Sequence, residues 1–218
     1  MTAITIHHYS DLLCVWAYVG QVRVDELCQV HNGEVELSYH YVDVFGDVPG
    51  RLQKNWENRG GLAGYSKHVQ DVVGRFDHLP VHEEVWQRNV PNSSVSCHHF
   101  LKAIVLAHGA KESATAAWSM REVFFGKALD VSSRPVQMQI AEELKLSIPE
   151  IEKHLNDGSA MSLISRDLRM ANEQKISVSP TLSFNEGRQL LVGNVSYRII
   201  EANVSELLSS TREGHSWC

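Results

Sequence analysis

The sequence predicts an α/β protein, with a mixed four-stranded sheet and an all-helical insertion. The first segment of the chain follows the order strand–helix–strand and the last segment the order strand–strand–helix. A long run between them has the helical spacing of apolar residues. Because the chain must return from these helices to complete the sheet, the run is an insertion rather than an independent domain. A length of 218 residues is enough for one large domain with a buried core.

The N-terminal segment contains a strand, a helix and a second strand. Apolar and polar residues alternate over 4–9, apolar residues recur at helical spacing over 14–30, and alternation returns over 35–41. Asn32-Gly33 is expected to end the helix, because both residues tolerate the left-handed conformation of a helix cap. This βαβ unit predicts parallel strands joined by a right-handed crossover.

The middle of the chain divides into a loose segment and a helical one. Residues 43–92 show no sustained period, and only the stretch GYSKHVQDVVGRF is expected to form a short helix there. Residues 93–157 have helical spacing almost throughout, and a further helix is expected over 159–174. Within the run, Ser133 is expected to cap a helix that has Pro135 in its first turn, and Ser147-Ile-Pro-Glu150 matches a capping box.

The C-terminal segment supplies two strands and a helix. The strands are expected at Thr181–Phe184 and Gln189–Val192, with a hairpin turn between them and an amphipathic helix after them over 195–210. We therefore divide the chain into four regions. Residues 1–44 hold the βαβ unit of the thioredoxin-like sheet and 45–175 the mostly helical insertion, while 176–210 hold the ββα unit and 211–218 a tail.

Composition excludes several classes of function. The formal net charge is −6 and no block of Lys and Arg stands out, which argues against a nucleic-acid partner. No apolar run approaches the ~20 residues that cross a bilayer. The N-terminal MTAITIHHYS lacks the basic and apolar regions of a secretory signal, so we expect a cytoplasmic protein unless a leader has been removed. In that compartment four widely spaced cysteines are expected to be free thiols: Cys14, Cys28, Cys97 and Cys218.

The order βαβ followed by ββα is that of the thioredoxin fold, so we expect a thioredoxin-like domain with a pocket between it and the insertion. Cys14 lies where the first strand passes into the first helix. The free N–H groups and dipole of a helix N-terminus favour a thiolate, and we expect the pKa of Cys14 to lie well below that of a free thiol. Ser179-Pro180 precedes the third strand. With a cis peptide bond there, the preceding backbone would face the cysteine and pair with an extended thiol-bearing substrate.

The stretch YSDLLCVWAYVG resembles the active-site segment of DsbA-type thiol oxidoreductases, roughly aromatic-x-Asp-x-x-Cys-Pro-Trp-Cys-Tyr-x-Gly. In this chain Val15 replaces the proline and Ala17 replaces the second cysteine. The stretch ISVSPTLSFNEGRQLLVGNVSYRIIEANV resembles the cis-proline strand, hairpin and terminal helix of the same family. Five residues match the active-site pattern: Asp11, Cys14, Trp16, Tyr18 and Gly20.

The helical insertion carries the resemblance further. The end of the family's insertion is similar to REVFFGKALDVSSRPVQMQIAEELKLSIPEIEKHL in this chain. The central helix of the insertion is similar to PNSSVSCHHFLKAIVLAHGA, in the branch of the family that contains 2-hydroxychromene-2-carboxylate isomerases and kappa-class glutathione transferases. The resemblance covers the chain except roughly 45–89. That branch keeps an asparagine near its glutathione site, which makes Asn92 an additional candidate, although Asn92-Ser93-Ser94 also fits a helix cap.

The alanine at position 17 decides which mechanisms remain open. A dithiol enzyme resolves its mixed disulfide with the second cysteine of the motif, and Ala17 cannot do so. Cys28 lies ~21 Å along the same helix, too far for a disulfide. The sequence does not fix how closely Cys97 or Cys218 approaches Cys14. A monothiol site more naturally uses an external thiol such as glutathione.

The leading hypothesis is a monothiol thiol-disulfide oxidoreductase or isomerase. Cys14 would be its nucleophile, and glutathione or protein and peptide thiols its partners. We expect no covalently bound cofactor. We also expect no metal site, although Cys97-His98-His99 and the pair His78 and His82 contain residue types that bind zinc. Oligomeric state is open, with a homodimer as one option. The residues expected to bind substrate or thiol are Asp11, Trp16, Ser179, Pro180 and Asn92.

Two alternatives stay open at this point. One is a glutathione-dependent isomerase or transferase that acts on a small aromatic or electrophilic compound, in which position 14 would stabilise the glutathione thiolate. The other is a non-catalytic peptide- or partner-binding module that kept the fold and lost the redox pair.

Overall fold

The computed structural model describes residues 3–77 and 79–213, and its sheet is the predicted one. The four strands are β1 (Ile4–Ser10), β2 (Val35–Tyr41), β3 (Thr181–Phe184) and β4 (Gln189–Val192), in the spatial order β2-β1-β3-β4. Strands β1 and β2 are parallel, whereas β3 is antiparallel to both β1 and β4. The mixed four-stranded sheet and the hairpin between β3 and β4 are therefore confirmed.

The helices form the remainder of the fold and supply the predicted helical insertion. Helix α5 is followed directly by a π-helical turn over Glu122–Gly126. Short 3₁₀ turns occupy Glu57–Arg59 and Asn185–Gly187. The α-helices of the described chain are α1 (Val15–Val30), α2 (Val48–Trp56), α3 (Gly61–Val73), α4 (Val95–His108), α5 (Ala110–Arg121), α6 (Arg134–Glu143), α7 (Ile148–Asn156), α8 (Ser159–Glu173) and α9 (Tyr197–Glu213).

Several local predictions were wrong. The segment 43–92 contains two helices rather than one, because Asp47 caps α2 by accepting a hydrogen bond from Gly50 N–H and Pro49 lies in its first turn. Ser133 and Ser147 occupy N-cap positions, but neither side chain makes a capping hydrogen bond, so the predicted capping box is absent. The last helix continues to Glu213, past the predicted start of the tail. Cys218 and His78 lie outside the described residues.

Both faces of the sheet are covered by helices. On one face Ile6 packs with Leu27 of α1 and Ile200 of α9. On the other face Tyr9 packs with Ala171 of α8. The largest apolar cluster joins the start of α1 to the insertion, and it includes Leu13, Tyr18, Trp86, Phe100, Phe124 and Phe125. Among the described residues, no helix combines the length and the apolar character needed to cross a membrane.

Candidate functional site

Cys14 occupies the N-cap position of α1, where the chain leaves β1 and turns into the helix. Its side chain is 5% exposed. The thiol Sγ lies 3.2 Å from the backbone carbonyl oxygen of Ser179, to which it donates a hydrogen bond. The Ser179–Pro180 peptide bond is cis. The two segments that the sequence singled out, 165 residues apart in the chain, therefore meet at this sulfur atom.

The loop before Cys14 is held by the buried carboxylate of Asp11. One carboxylate oxygen accepts from Leu13 N–H at 2.9 Å, and the other from Phe45 N–H at 2.8 Å and Ser94 Oγ at 2.7 Å. The backbone N–H of Asp11 donates to Ser179 Oγ at 2.8 Å. Asp11 has no exposed surface, so it positions the loop from the protein interior and does not line the pocket beside the thiol.

A pocket of about 280 Å³ opens beside Cys14. Trp16 forms part of its wall, as expected, and Ser177, Val178 and Ser179 form the edge next to the proline. A second cavity, of about 390 Å³, shares Val44, Arg51 and Ser177 with the first, so the two form one groove. The remaining side chains lining the first pocket are Val15, Val44, Phe45, Arg51, Trp56, Tyr65 and His68.

None of these seven residues was predicted to belong to the site, and five of them come from the segment 45–89 that the resemblance did not cover. Arg51 and Trp56 lie on α2, and Tyr65 and His68 on α3. The Asp47-Val48-Pro49 start of α2 was the available signal, because an acidic cap followed by proline is typical of a helix N-terminus. The aromatic residues form a connected group, with ring centroids of Trp56 and Tyr65 5.0 Å apart.

The pKa of Cys14 moves in the direction opposite to the prediction. Burial raises the pKa of the thiol, because the charged thiolate loses its solvation, and the buried Asp11 carboxylate raises it further. The Ser179 side chain and the backbone N–H groups of Ala17 and Trp16 lower the pKa by hydrogen bonding, and the two N–H groups act as expected at a helix N-terminus. Because the thiol is buried, the loss of solvation outweighs these hydrogen bonds, and the predicted low pKa of Cys14 is wrong for this structure.

The pocket wall is cationic and aromatic. Arg51 and His68 are its basic side chains, and no carboxylate is among the lining residues of the described chain. The guanidinium of Arg51 lies 4.7 Å from the ring centroid of Phe45, a cation–π distance. Burial lowers the pKa of His68, which keeps the ring neutral near pH 7. An anionic, partly apolar ligand suits this wall.

Asn92 lies outside the pocket. Its side chain is exposed, and its carbonyl oxygen accepts from Val48 N–H at 3.0 Å, which fixes the start of α2 beside the pocket. Cys97 is fully buried in α4, and Cys28 is partly buried on α1. Within the described ranges, no three His, Cys, Asp or Glu side chains are grouped closely enough to hold a metal ion.

A histidine of helix α4 also contacts the loop that precedes Cys14. His98 Nε2 accepts a hydrogen bond from Leu12 N–H at 3.1 Å, so this nitrogen carries no proton. Burial lowers the pKa of His98 to about 3, and the ring is therefore neutral. Its approach to Asp11, 3.8 Å between Nε2 and Oδ1, is consequently not an ion pair.

Comparison with known proteins finds both a curated relative and related structures. The ClpXP adapter protein SpxH of Bacillus licheniformis is 29% identical over 145 residues, which cover 57% of this chain but only 48% of the relative. A probable DsbA oxidoreductase of Streptomyces coelicolor superposes with a TM-score of 0.72 at 15% identity, covering 94% of this chain and 90% of that one.

Two further structures share the fold over nearly their whole length. The cytosolic disulfide reductase DsbM of Pseudomonas aeruginosa, in a structure with GSH, has a TM-score of 0.67 at 14% identity and covers 96% and 100% of the two chains. A 2-hydroxychromene-2-carboxylate isomerase has a TM-score of 0.67 at 15% identity, with 98% and 100% covered. The sequence profile described as DSBA-like thioredoxin domain matches residues 5–205, and the chain belongs to that family.

Proposed function

We propose that this protein is a monothiol thiol-disulfide exchange enzyme in which Cys14 is the nucleophile and glutathione is the external thiol. The observation that carries the proposal is the position of the Cys14 thiol, 3.2 Å from the Ser179 carbonyl oxygen at the side of the 280 Å³ pocket. A ligand that enters this pocket meets the sulfur together with the exposed residues Ser177 and Val178. The structure of the DsbM reductase with GSH supports the choice of thiol.

The reaction follows from the single cysteine. The Cys14 thiol first loses its proton to solvent, and the thiolate attacks one sulfur of a disulfide. A new S–S bond joins Cys14 to that sulfur, and the other sulfur departs as a thiolate. The thiolate of a glutathione molecule then attacks the mixed disulfide and releases Cys14. External glutathione performs this second step, because Ala17 offers no sulfur.

Glutathione fits the charges and shape of the site. It is an anionic tripeptide, and the pocket beside Cys14 offers the Arg51 guanidinium and no carboxylate of the described chain, since Asp43 lines only the adjoining cavity. Its extended backbone would lie along 177–179, and Trp16 and Trp56 would cover its thiol-bearing residue. Binding there would also bring the Cys14 thiol next to a sulfur atom, so that the raised pKa is offset by proximity.

The proposal is tested by intact-mass analysis after exposure to oxidised glutathione, followed by peptide mapping. We expect one glutathione adduct on Cys14 in the wild type and none at that position in Cys14→Ser. Cys28→Ser is the matched control, because Cys28 is more exposed than Cys14 and lies on the same helix. It should keep the adduct on Cys14. An adduct on Cys28 or Cys97 with none on Cys14 would refute the proposal.

A second candidate function is a partner-binding module without thiol chemistry. Two observations favour it, namely the raised pKa of the nearly buried Cys14 and the similarity to an adapter protein. In that case a disulfide substrate is not turned over, and Cys14→Ser binds its partner as the wild type does. The isomerase or transferase alternative predicts instead that Cys14→Ser still retains glutathione and still acts on an electrophile.

A further inference from the structure

A third cavity, of about 190 Å³, lies between β2 and helices α4, α5 and α8. It shares no lining residue with the pocket beside Cys14. Glu36 and Arg166 are exposed and mark its mouth. Its interior combines a polar side, formed by Ser10, Tyr41 and Arg121, with an apolar side formed by Leu37, Val105, Ala114, Ala117 and Leu163.

The charge inside this cavity is Arg121, the last residue of α5. Arg121 is 3% exposed, and it donates from Nη1 to Gln21 Oε1 at 3.0 Å and from Nη2 to Ser10 Oγ at 3.3 Å. Both acceptors are neutral. Its Nε is buried without a hydrogen-bond partner in the described structure. The two Nη atoms carry four N–H groups, of which two are used, so two are still free to bind an acceptor.

The neighbouring acids attract this guanidinium through space but form no ion pair with it. Lys102 also lines the cavity, but Asp167 pairs with it at 2.6 Å and accepts from His40 as well. The other buried acid, Asp11, directs its carboxylate to Leu13, Phe45 and Ser94 instead. No carboxylate of the described chain forms an ion pair with Arg121. A buried and unpaired charge is costly, and a bound anion is the usual remedy.

We propose that this cavity is a binding site for a small organic carboxylate. Its two oxygens would accept hydrogen bonds from the free N–H groups of Arg121, the bidentate geometry for which a guanidinium is suited. Its apolar body would fill the space bounded by Val105, Ala114 and Leu163. The mixed lining distinguishes such a ligand from inorganic phosphate, which would leave the apolar side unfilled. The inference is independent of the thiol chemistry proposed for Cys14.

The experiment compares benzoate with benzamide, a neutral molecule of nearly the same shape, and with inorganic phosphate. Binding is measured on the full chain by isothermal titration calorimetry and by the shift in melting temperature. We expect benzoate to bind with one site per chain and to raise the melting temperature. Benzamide and phosphate should do neither at the same concentration.

Two substitutions and a control locate the site. Arg121→Met removes the charge, and Ala114→Leu fills the cavity from α5; each should weaken benzoate binding by about tenfold or more. Thr115→Leu adds the same side chain at the exposed neighbouring position and should leave binding unchanged. If Arg121→Met fails to fold, Ala114→Leu still tests whether benzoate binds in this cavity. Binding of phosphate in preference to benzoate, equal binding of benzamide, or benzoate binding that survives Ala114→Leu would overturn the proposal.

Discussion

Two residues one helical turn apart, Cys14 and Ala17, are the basis of the monothiol chemistry that we propose. Ala17 is 1% exposed and its N–H donates to the Cys14 carbonyl oxygen at 3.1 Å. It also lines a small cavity next to Pro180, which leaves space at its Cβ. Position 17 therefore lies beside Pro180, as Cys14 lies beside Ser179, but its side chain carries no sulfur.

Restoring the sulfur should restore a dithiol site. Residues three apart on a helix have Cα atoms about 5 Å apart, within the range of about 4.4–6.8 Å that a disulfide bridges. We expect Ala17→Cys, after exposure to oxidised glutathione, to lose its adduct and form an internal disulfide, whereas the wild type keeps the adduct. Intact mass distinguishes the two products. Ala17→Ser is the control and should keep the adduct; a lasting adduct on Ala17→Cys would contradict the prediction.

Among the structural elements, those with a clear repeat were predictable, whereas α2, which helps to complete the pocket, was not. Alternation over β2 and helical spacing over α1 each extend for several turns or residue pairs, so the pattern of apolar residues in the sequence identified them. Helix α2 has only nine residues, too few to show a period. The meeting of Cys14 with Ser179 could be predicted only through the resemblance, because no local pattern reports a contact between residues so distant in sequence.

The raised pKa of Cys14 was unpredictable for a related reason. Its helix position was visible in the sequence, but the walls that bury it come from α2 and α3, in the segment without a recognisable pattern. The Arg121 cavity likewise depends on Gln21 and Ser10, both about a hundred residues away in the chain, as their hydrogen bonds show.

Helix α2 covers one side of the thiol pocket, and its cap should control access to Cys14. Asp47→Ala removes the hydrogen bond from Gly50 N–H, a loss worth about 1 kcal/mol at a helix N-terminus. We expect faster amide hydrogen exchange over Val48–Trp56 and faster alkylation of Cys14 by iodoacetamide. Asp157→Ala is the matched control, because Asp157 accepts from Ser159 N–H at the start of α8, away from the pocket. Equal alkylation rates in the two variants would argue against this role for α2.

At the scale of the whole molecule, buried polar groups join the sheet to the insertion. Asp167 of α8 links β2 to α4, through His40 and Lys102. Asp11 joins three segments, because its carboxylate binds the loop before α1, Phe45 after β2, and Ser94 at the start of α4. The Asp11 carboxylate therefore both connects the insertion to the sheet and positions the loop before Cys14.

This junction makes stability depend on pH. Burial, although opposed by the hydrogen bonds from Phe45, Ser94 and Leu13, raises the pKa of Asp11 from 3.8 to about 6 in the folded protein. Between these values the folded state holds a proton that the unfolded state has released. The contribution of Asp11 is thus fully present below pH 4, and it is lost as the pH rises through 6.

The prediction is a comparison of wild type with Asp11→Asn by urea unfolding from pH 4 to pH 7. The amide cannot ionise, so the wild type should lose roughly 2–4 kcal/mol of unfolding free energy relative to the variant across this range. Taking the difference removes the contributions of the other titrating groups, including the buried His8 and His98. Because the introduced amide would also turn an N–H toward a backbone donor, the variant should be less stable at pH 4. Parallel curves would show that Asp11 has the same pKa in the folded and unfolded states, and the predicted pH dependence would then be wrong.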